Sequence, residues 1–150
     1  MITPQYYTIV SGRGESKYRL VAFDKALLDA GIGDYNLVKV SSIIPPGCTF
    51  RETIDLSKGS ILYVAYAAKT VQEGQLGSTA VAIAIPIDSD KNGVIFEDSS
   101  DNNAENIVRD MCQEAMLNRG LSISNIKCSS MAIEGIPDKY VCGVSAVVMW

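Results

Sequence analysis

Two adjacent hydroxyls, Ser41 and Ser42, stand between the apolar run Tyr35 to Val40 and the stop Pro45-Pro46-Gly47. Such a pair is either part of a strand end or a place where hydroxyls do chemistry. The local pattern alone describes a strand running into a turn, because proline cannot continue a ladder and glycine relieves the backbone. Other residues must therefore decide between the two. Glu97 follows the apolar run Gly93-Val94-Ile95-Phe96, where lost solvent raises a carboxylate's pKa; in open solvent it would be an ordinary strand end. Asp24 falls between Leu20 and Leu28 in the apolar arc of a helix. There it must find the arc's edge, a partner such as Lys17 or Lys25, or a ligand. Asn36 stands six residues before Ser42, and a period of two turns Asn36, Val38, Val40 and Ser42 to one face.

Several chemistries are excluded by composition. The 150 residues contain no histidine, so no Ser-His-Asp or Cys-His nucleophile and no histidine-based zinc site can form. The cysteines Cys48, Cys112, Cys128 and Cys142 make no CxxC pair, and no metal-ligand spacing appears. Met1 to Tyr7 is short and polar rather than a signal peptide, which suggests reduced thiols in a cytoplasmic protein. A net charge of −4 without a Lys/Arg cluster argues against nucleic acid, and no apolar run is long enough to span a membrane. Acid–base work falls to Asp, Glu, Lys, Tyr or Cys.

The positioning elements can be read in order. Tyr6 to Ser11 is a strand leading into Gly12-Arg13-Gly14-Glu15-Ser16. That loop lacks the third glycine of a dinucleotide fingerprint, since Lys17 holds its place, and Glu15 would repel a pyrophosphate. A glycine-rich turn into a helix over Ser16 to Ala30, capped by Ser16 or a neighbour, is the better account. In that helix Leu20, Phe23, Leu27 and Leu28 share one apolar arc. Strands are expected over Tyr35 to Ser42, Ser60 to Ala68, Ser78 to Ile87, Gly93 to Glu97, Leu121 to Ile133 and Tyr140 to Met149, with a second helix over Asn102 to Arg119. Ala80 to Ile85 shows no polar alternation, so both faces of that strand should be covered. The chain reads as one α+β domain over residues 1–150, with its helices packed outside the sheets.

Together these segments resemble the pyruvoyl-dependent arginine decarboxylases. The resemblance rests on Ser11-Gly12-Arg13-Gly14-Glu15-Ser16, on Ala22-Phe23-Asp24 with Leu27-Leu28, and on Ala30-Gly31-Ile32-Gly33-Asp34-Tyr35-Asn36-Leu37-Val38-Lys39-Val40-Ser41-Ser42. It continues through Ile43-Ile44-Pro45-Pro46-Gly47 and Gly93-Val94-Ile95-Phe96-Glu97. Asp34 departs from the family, which more often has Asn there, and adds a negative charge.

The resemblance implies an αββα layered sandwich of largely antiparallel sheets and self-cleavage at the bond between Ser41 and Ser42. Residues 1–41 would become a β chain and 42–150 an α chain, capped by a pyruvoyl group derived from Ser42. Such a ketone condenses with a substrate's α-amine and accepts the electrons freed when CO₂ leaves. By the same resemblance Glu97 is the proton donor, Asn36 assists processing or positions a carbonyl, and Asp24 receives the guanidinium of L-arginine. The family's homotrimers share active sites between neighbours, and the implied product is agmatine. Two alternatives stay open: a pyruvoyl decarboxylase of another amino acid such as histidine, and an unprocessed, non-catalytic paralogue.

Overall fold

The computed structural model describes residues 2–150. In chain order the elements are β1 (Tyr6–Ser16), α1 (Arg19–Asp29), β2 (Asn36–Lys39), β3 (Ile43–Ile44), β4 (Thr49–Phe50) and β5 (Ile61–Val71). There follow β6 (Leu76–Pro86), β7 (Gly93–Ser100), α2 (Ala104–Asn118), β8 (Ile123–Glu134) and β9 (Tyr140–Met149). One sheet has the order β2-β5-β9-β1-β4 and the other β3-β7-β6-β8. The pairings β1–β4 and β2–β5 are parallel, and the remainder are antiparallel.

The layers follow from which residues each strand turns to which side. On β6, Val81 and Ile83 face the other sheet, where they meet Ala65, Val147 and Met149. The alternate residues Ala80, Ala82 and Ala84 lie under Val108, Cys112 and Met116 of α2. Both faces of β6 are thus covered, which accounts for its unbroken apolar sequence. On the opposite side, Ala22 and Ala26 of α1 cover Cys142 and Val144 of β9. The architecture is the αββα sandwich anticipated from the sequence.

Polar side chains also cross the space between the sheets. Ser11 lies 2.7 Å from Ser129 and 2.8 Å from Ser145, hydroxyl to hydroxyl, and Thr79 lies 2.9 Å from Ser145. Ser145 and Thr79 are fully buried, so these bonds satisfy groups that would otherwise be left without water. The network ties β1 and β9 of one sheet to β6 and β8 of the other.

The region around α1 differs from expectation. Gly12 and Gly14 form no turn; β1 runs through both and stays in register with β9 as far as Ser16 opposite Tyr140. A Cβ on Gly12 would collide with the backbone at Ala26 and Ala30, and one on Gly14 with the backbone at Ala22 and Ala26. The glycines serve close helix–strand approach, and α1 answers them with alanines. Its large residues consequently face outward: Leu20 is 80% and Leu28 49% exposed. The helix begins at Arg19, and the Ser16 hydroxyl accepts the Tyr18 N–H at 3.1 Å from outside it. Gly14→Ala should lower unfolding free energy by about 1–3 kcal/mol, because packed backbone rather than a flexible side chain meets the new methyl. Urea titration of the variant beside the parent protein checks this.

Candidate active site

The strand anticipated over Tyr35 to Ser42 stops at Lys39. The reason is topological. Chain in β2 belongs to one sheet and chain in β3 to the other, so it must leave the first ladder before it joins the second. The Val40 N–H donates to the Val64 carbonyl at 2.9 Å, the last tie to the first sheet. The Ser42 carbonyl accepts the Ile95 N–H at 2.7 Å, the first tie to the second. The bond between Ser41 and Ser42 lies between these anchors, in neither ladder.

Beyond the crossing, β3 pairs Ile43 with Val94 and Ile44 with Gly93. Ile44 is buried, and its methyl occupies space that a side chain on Gly93 would need. Cys48 then donates its N–H to the Pro45 carbonyl at 3.2 Å, and Gly47 adopts φ +74° in the turn between them. The chain returns to the first sheet at β4, where Thr49 pairs with Tyr6. Residues 40–50 thus strap the two sheets together, with the serine pair at one end.

Two hollows flank this crossing. One, of about 250 Å³, is lined by Ser41 with Val40, Ile43, Tyr63 and Met149, and by Pro4 near the N-terminus. The second, of about 420 Å³, is lined by Lys39 and Tyr66 on one side and by Glu97 and Asp98 on the other. It opens where β2 and β3 end. Beyond Val64 one edge of β5, and beyond Ile95 one edge of β7, have no neighbouring strand among the described residues.

Glu97 reaches this groove from within a strand, because β7 continues to Ser100 and pairs Glu97 with Val81. It shares a face with Ile95, whose N–H holds Ser42, roughly 7 Å further along the strand. Burial pushes the Glu97 carboxyl above the usual carboxylate range, and Lys39 partly opposes that rise. The Lys39 ammonium sits 4.8 Å from the centre of the Tyr66 ring, and Tyr66 in turn lies 6.1 Å from Phe23 of α1.

Asp24 and Asn36 occupy other places in the chain. Asp24 is exposed on α1 and forms no ion pair among the described residues; Lys25 instead donates to the Glu15 carbonyl. Around it Leu20, Val21 and Leu28 expose an apolar surface. Asn36 begins β2, and its amide donates to the Gly59 carbonyl at 2.7 Å. Four residues of extended chain, roughly 13 Å, separate it from Val40. The charge of Asp34 is answered locally by Lys58 at 2.5 Å, an exposed pair.

The cysteines offer no nucleophile. All four are free, and burial pushes Cys48 and Cys112 up to about 11, where the thiolate is scarce at neutral pH. Sequence reasoning left Lys39 and Tyr66 without a role. Lys39 lies inside the recognisable motif, but Tyr66 carries no local signal and comes to the groove through strand pairing alone.

Glu97 carries a stability cost whose sign follows from its pKa. The folded chain binds this proton more tightly than the unfolded chain, so Glu97 disfavours folding increasingly as pH rises from the unfolded value through the folded one. Glu97→Gln should therefore raise stability at pH 7 and lose that advantage near pH 4. Urea unfolding of both proteins at the two pH values provides the comparison.

The sequence profile of the family described as pyruvoyl-dependent arginine decarboxylase matches residues 6–150. Curated relatives of that description include one from Methanococcus aeolicus, 38% identical over 98% of this chain and 90% of the relative. Another from Methanocaldococcus jannaschii is 34% identical over 98% and 90%, and one from Methanopyrus kandleri is 34% identical over 100% and 99%. Among the described residues, no helix is long and apolar enough to cross a membrane. A profile match across nearly the whole chain, with relatives matched along almost their full length, places this chain in the pyruvoyl-dependent arginine decarboxylase family of carboxy-lyases.

Proposed function

We propose that this chain cleaves itself between Ser41 and Ser42 and then, through a pyruvoyl group made from Ser42, decarboxylates L-arginine to agmatine and CO₂. The observation carrying this reading is the serine pair in the crossing, anchored on both sides but outside both ladders. A peptide in a ladder resists rotation out of its hydrogen bonds; this one can turn its carbonyl toward the attacking hydroxyl. The residues also suit the group itself, since Ser42 supplies the required β-hydroxyl and the Ile95 N–H holds the carbonyl beside the future ketone.

In processing, the Ser42 hydroxyl attacks the Ser41 carbonyl, and the peptide nitrogen leaves as the amine of residue 42. Loss of the Cα proton of residue 42 then expels the ester as a carboxylate, giving Ser41 a free C-terminus and leaving an unsaturated residue 42. Addition of water and loss of ammonia complete the conversion to a ketone. The hydroxyl of Ser41 is not consumed in any of these steps.

The bound ketone supplies an electron sink for the pair released with CO₂. The chain's own residues then hold substrate and return a proton. Glu97 suits the donor's role because its burial keeps a larger protonated fraction near neutrality than an exposed glutamate would have. Asp24 is assigned to the guanidinium, which a carboxylate can bind through two parallel hydrogen bonds. Asn36 is assigned to positioning a carbonyl during processing.

The separate placement of Asp24 and Asn36 favours a site completed between protomers of a homotrimer. Two surface features support that assembly. Leu20, Val21 and Leu28 leave an apolar face around Asp24, and the free edges of β5 and β7 border the Glu97 groove. A cytoplasmic location accompanies this reading, since the four free cysteines are suited to a reducing compartment.

Intact-mass analysis of the purified protein should give two fragments meeting at Ser41 and Ser42, the larger lacking a free amino terminus. Ser42→Ala should give one uncleaved chain, and a single chain from the unmutated protein under active conditions would overturn the reading. In the processed enzyme, Asp24→Asn should raise the KM for arginine roughly 10- to 100-fold, the value of a charged hydrogen-bonded contact. Assaying CO₂ release from arginine and from histidine tests the substrate: release from histidine alone would exclude arginine.

A further inference from the structure

Lys39 ends β2 two residues before the serine pair, in register with Val64 of β5. The parallel strands place Tyr66 two residues ahead, and the Lys39 ammonium lies over that ring, 4.8 Å from its centre. The side chain therefore extends past the end of its own strand and into the groove that Glu97 enters from the other sheet. Tyr66 is packed in turn against Phe23, the neighbour of Asp24, at 6.1 Å. A series of contacts thus runs from Phe23 of α1 through Tyr66 to Lys39, which lines the same groove as Glu97.

We propose that Lys39, seated on Tyr66, is a positioning residue for Glu97: its ammonium sets the pH range over which that carboxyl holds the proton it donates. The inference rests on the assignment of Glu97 as proton donor. Burial by itself raises the Glu97 carboxyl above the usual carboxylate range and makes it less ready to release its proton. A cation at moderate distance counters part of that effect without forming an ion pair that would hold the carboxylate permanently charged. Lys39 forms no ion pair among the described residues, and the electron-rich aromatic face of Tyr66 holds its charge in place.

The other groups around Glu97 leave this role to Lys39. On β6 its opposite residue is Val81, and the next on that face is Thr79; neither carries charge. On β5 the further cation, Lys69, is paired with Asp101 at 3.6 Å. On β7 itself, Asp98 turns to the opposite face, and one of its oxygens is buried without a partner. From β2 the facing charge is Lys39, which burial of Glu97 leaves opposed to it across the groove. After the proposed cleavage these two residues would belong to different fragments, so the proton donor of the longer would be tuned by the shorter.

The test uses two readouts. In the full-length Ser42→Ala chain, which needs no cofactor, carbon-13 NMR titration follows the Glu97 carboxyl, assigned by its loss in Glu97→Gln. Lys39→Met should move its midpoint up by about one unit. Tyr66→Leu should move it in the same direction by less, because it unseats the ammonium without removing it. Lys39→Arg should restore the midpoint to the parent value. In the processed enzyme, the alkaline limb of kcat should move up with Lys39→Met, since a proton donor must be protonated to act. A Glu97 midpoint unchanged by Lys39→Met would overturn the inference, even if that variant lost activity or processed poorly. Failure of the unmutated chain to decarboxylate arginine would instead overturn the functional assignment on which the inference rests.

Discussion

The transfer of the chain from one sheet to the other at residues 40–43 is the constraint on which the rest of the site depends. Stacked sheets lie about 10 Å apart, and a chain cannot remain in both ladders while it crosses that distance. Val40 is the last residue held by β5, and Ser42 is the first held by β7. The intervening peptide is left outside the regular ladders but confined at both ends. The residues at its two ends stay close, while the plane of the peptide between them is not fixed by a ladder. Ile44, Pro45 and the return through β4 close the strap behind it and keep the second anchor in place.

The sandwich supplies a rigid frame for this strap. Alternating residues of β6 commit one face to α2 and the other to the opposite sheet, so β7 and β5 cannot shift independently of the core. The hydroxyls of Ser11, Ser129, Ser145 and Thr79 fix the relation of the sheets more selectively than hydrophobic contacts, which tolerate sliding. On the first sheet, bare backbone at Gly12 and Gly14 lets α1 approach closely enough to bury its alanines. The consequence is an outward apolar face on the same helix, around Asp24. Close packing of α1 on its sheet and an exposed apolar surface thus arise from one arrangement of small and large residues.

Much of the fold was legible in the chain. The apolar run Ala80 to Ile85 announced a strand covered on both sides, and the long strands and two helices followed from periodicity. The serine pair, Glu97, Asn36 and Asp24 could be singled out by residue type and by resemblance to a family. The local signals failed where two elements met. Gly12 and Gly14 have the composition of a turn, but their lack of side chains is used by a helix crossing over a continuous strand. Leu20 and Leu28 match a core-facing arc, yet the surface they would cover has room only for alanine. Glu97 looked like a strand end because the apolar run stops there; pairing with Val81 and beyond carries β7 three residues further.

By itself, the sequence determined the available chemistry: a β-hydroxyl at residue 42, carboxylates in place of histidine, and segments whose periodicity gives two helices and a set of long strands. Those properties reside in residue types and short spacings, which need no knowledge of the remainder of the chain. Tertiary structure decided the environment of each group. It placed Ser41 and Ser42 between sheets, brought Lys39 and Tyr66 to the groove of Glu97, and set Asp24 and Asn36 apart from them. The physical reason is that solvent exclusion and electrostatic contact depend on distances through space, between residues such as Lys39 and Glu97 that are far apart along the chain.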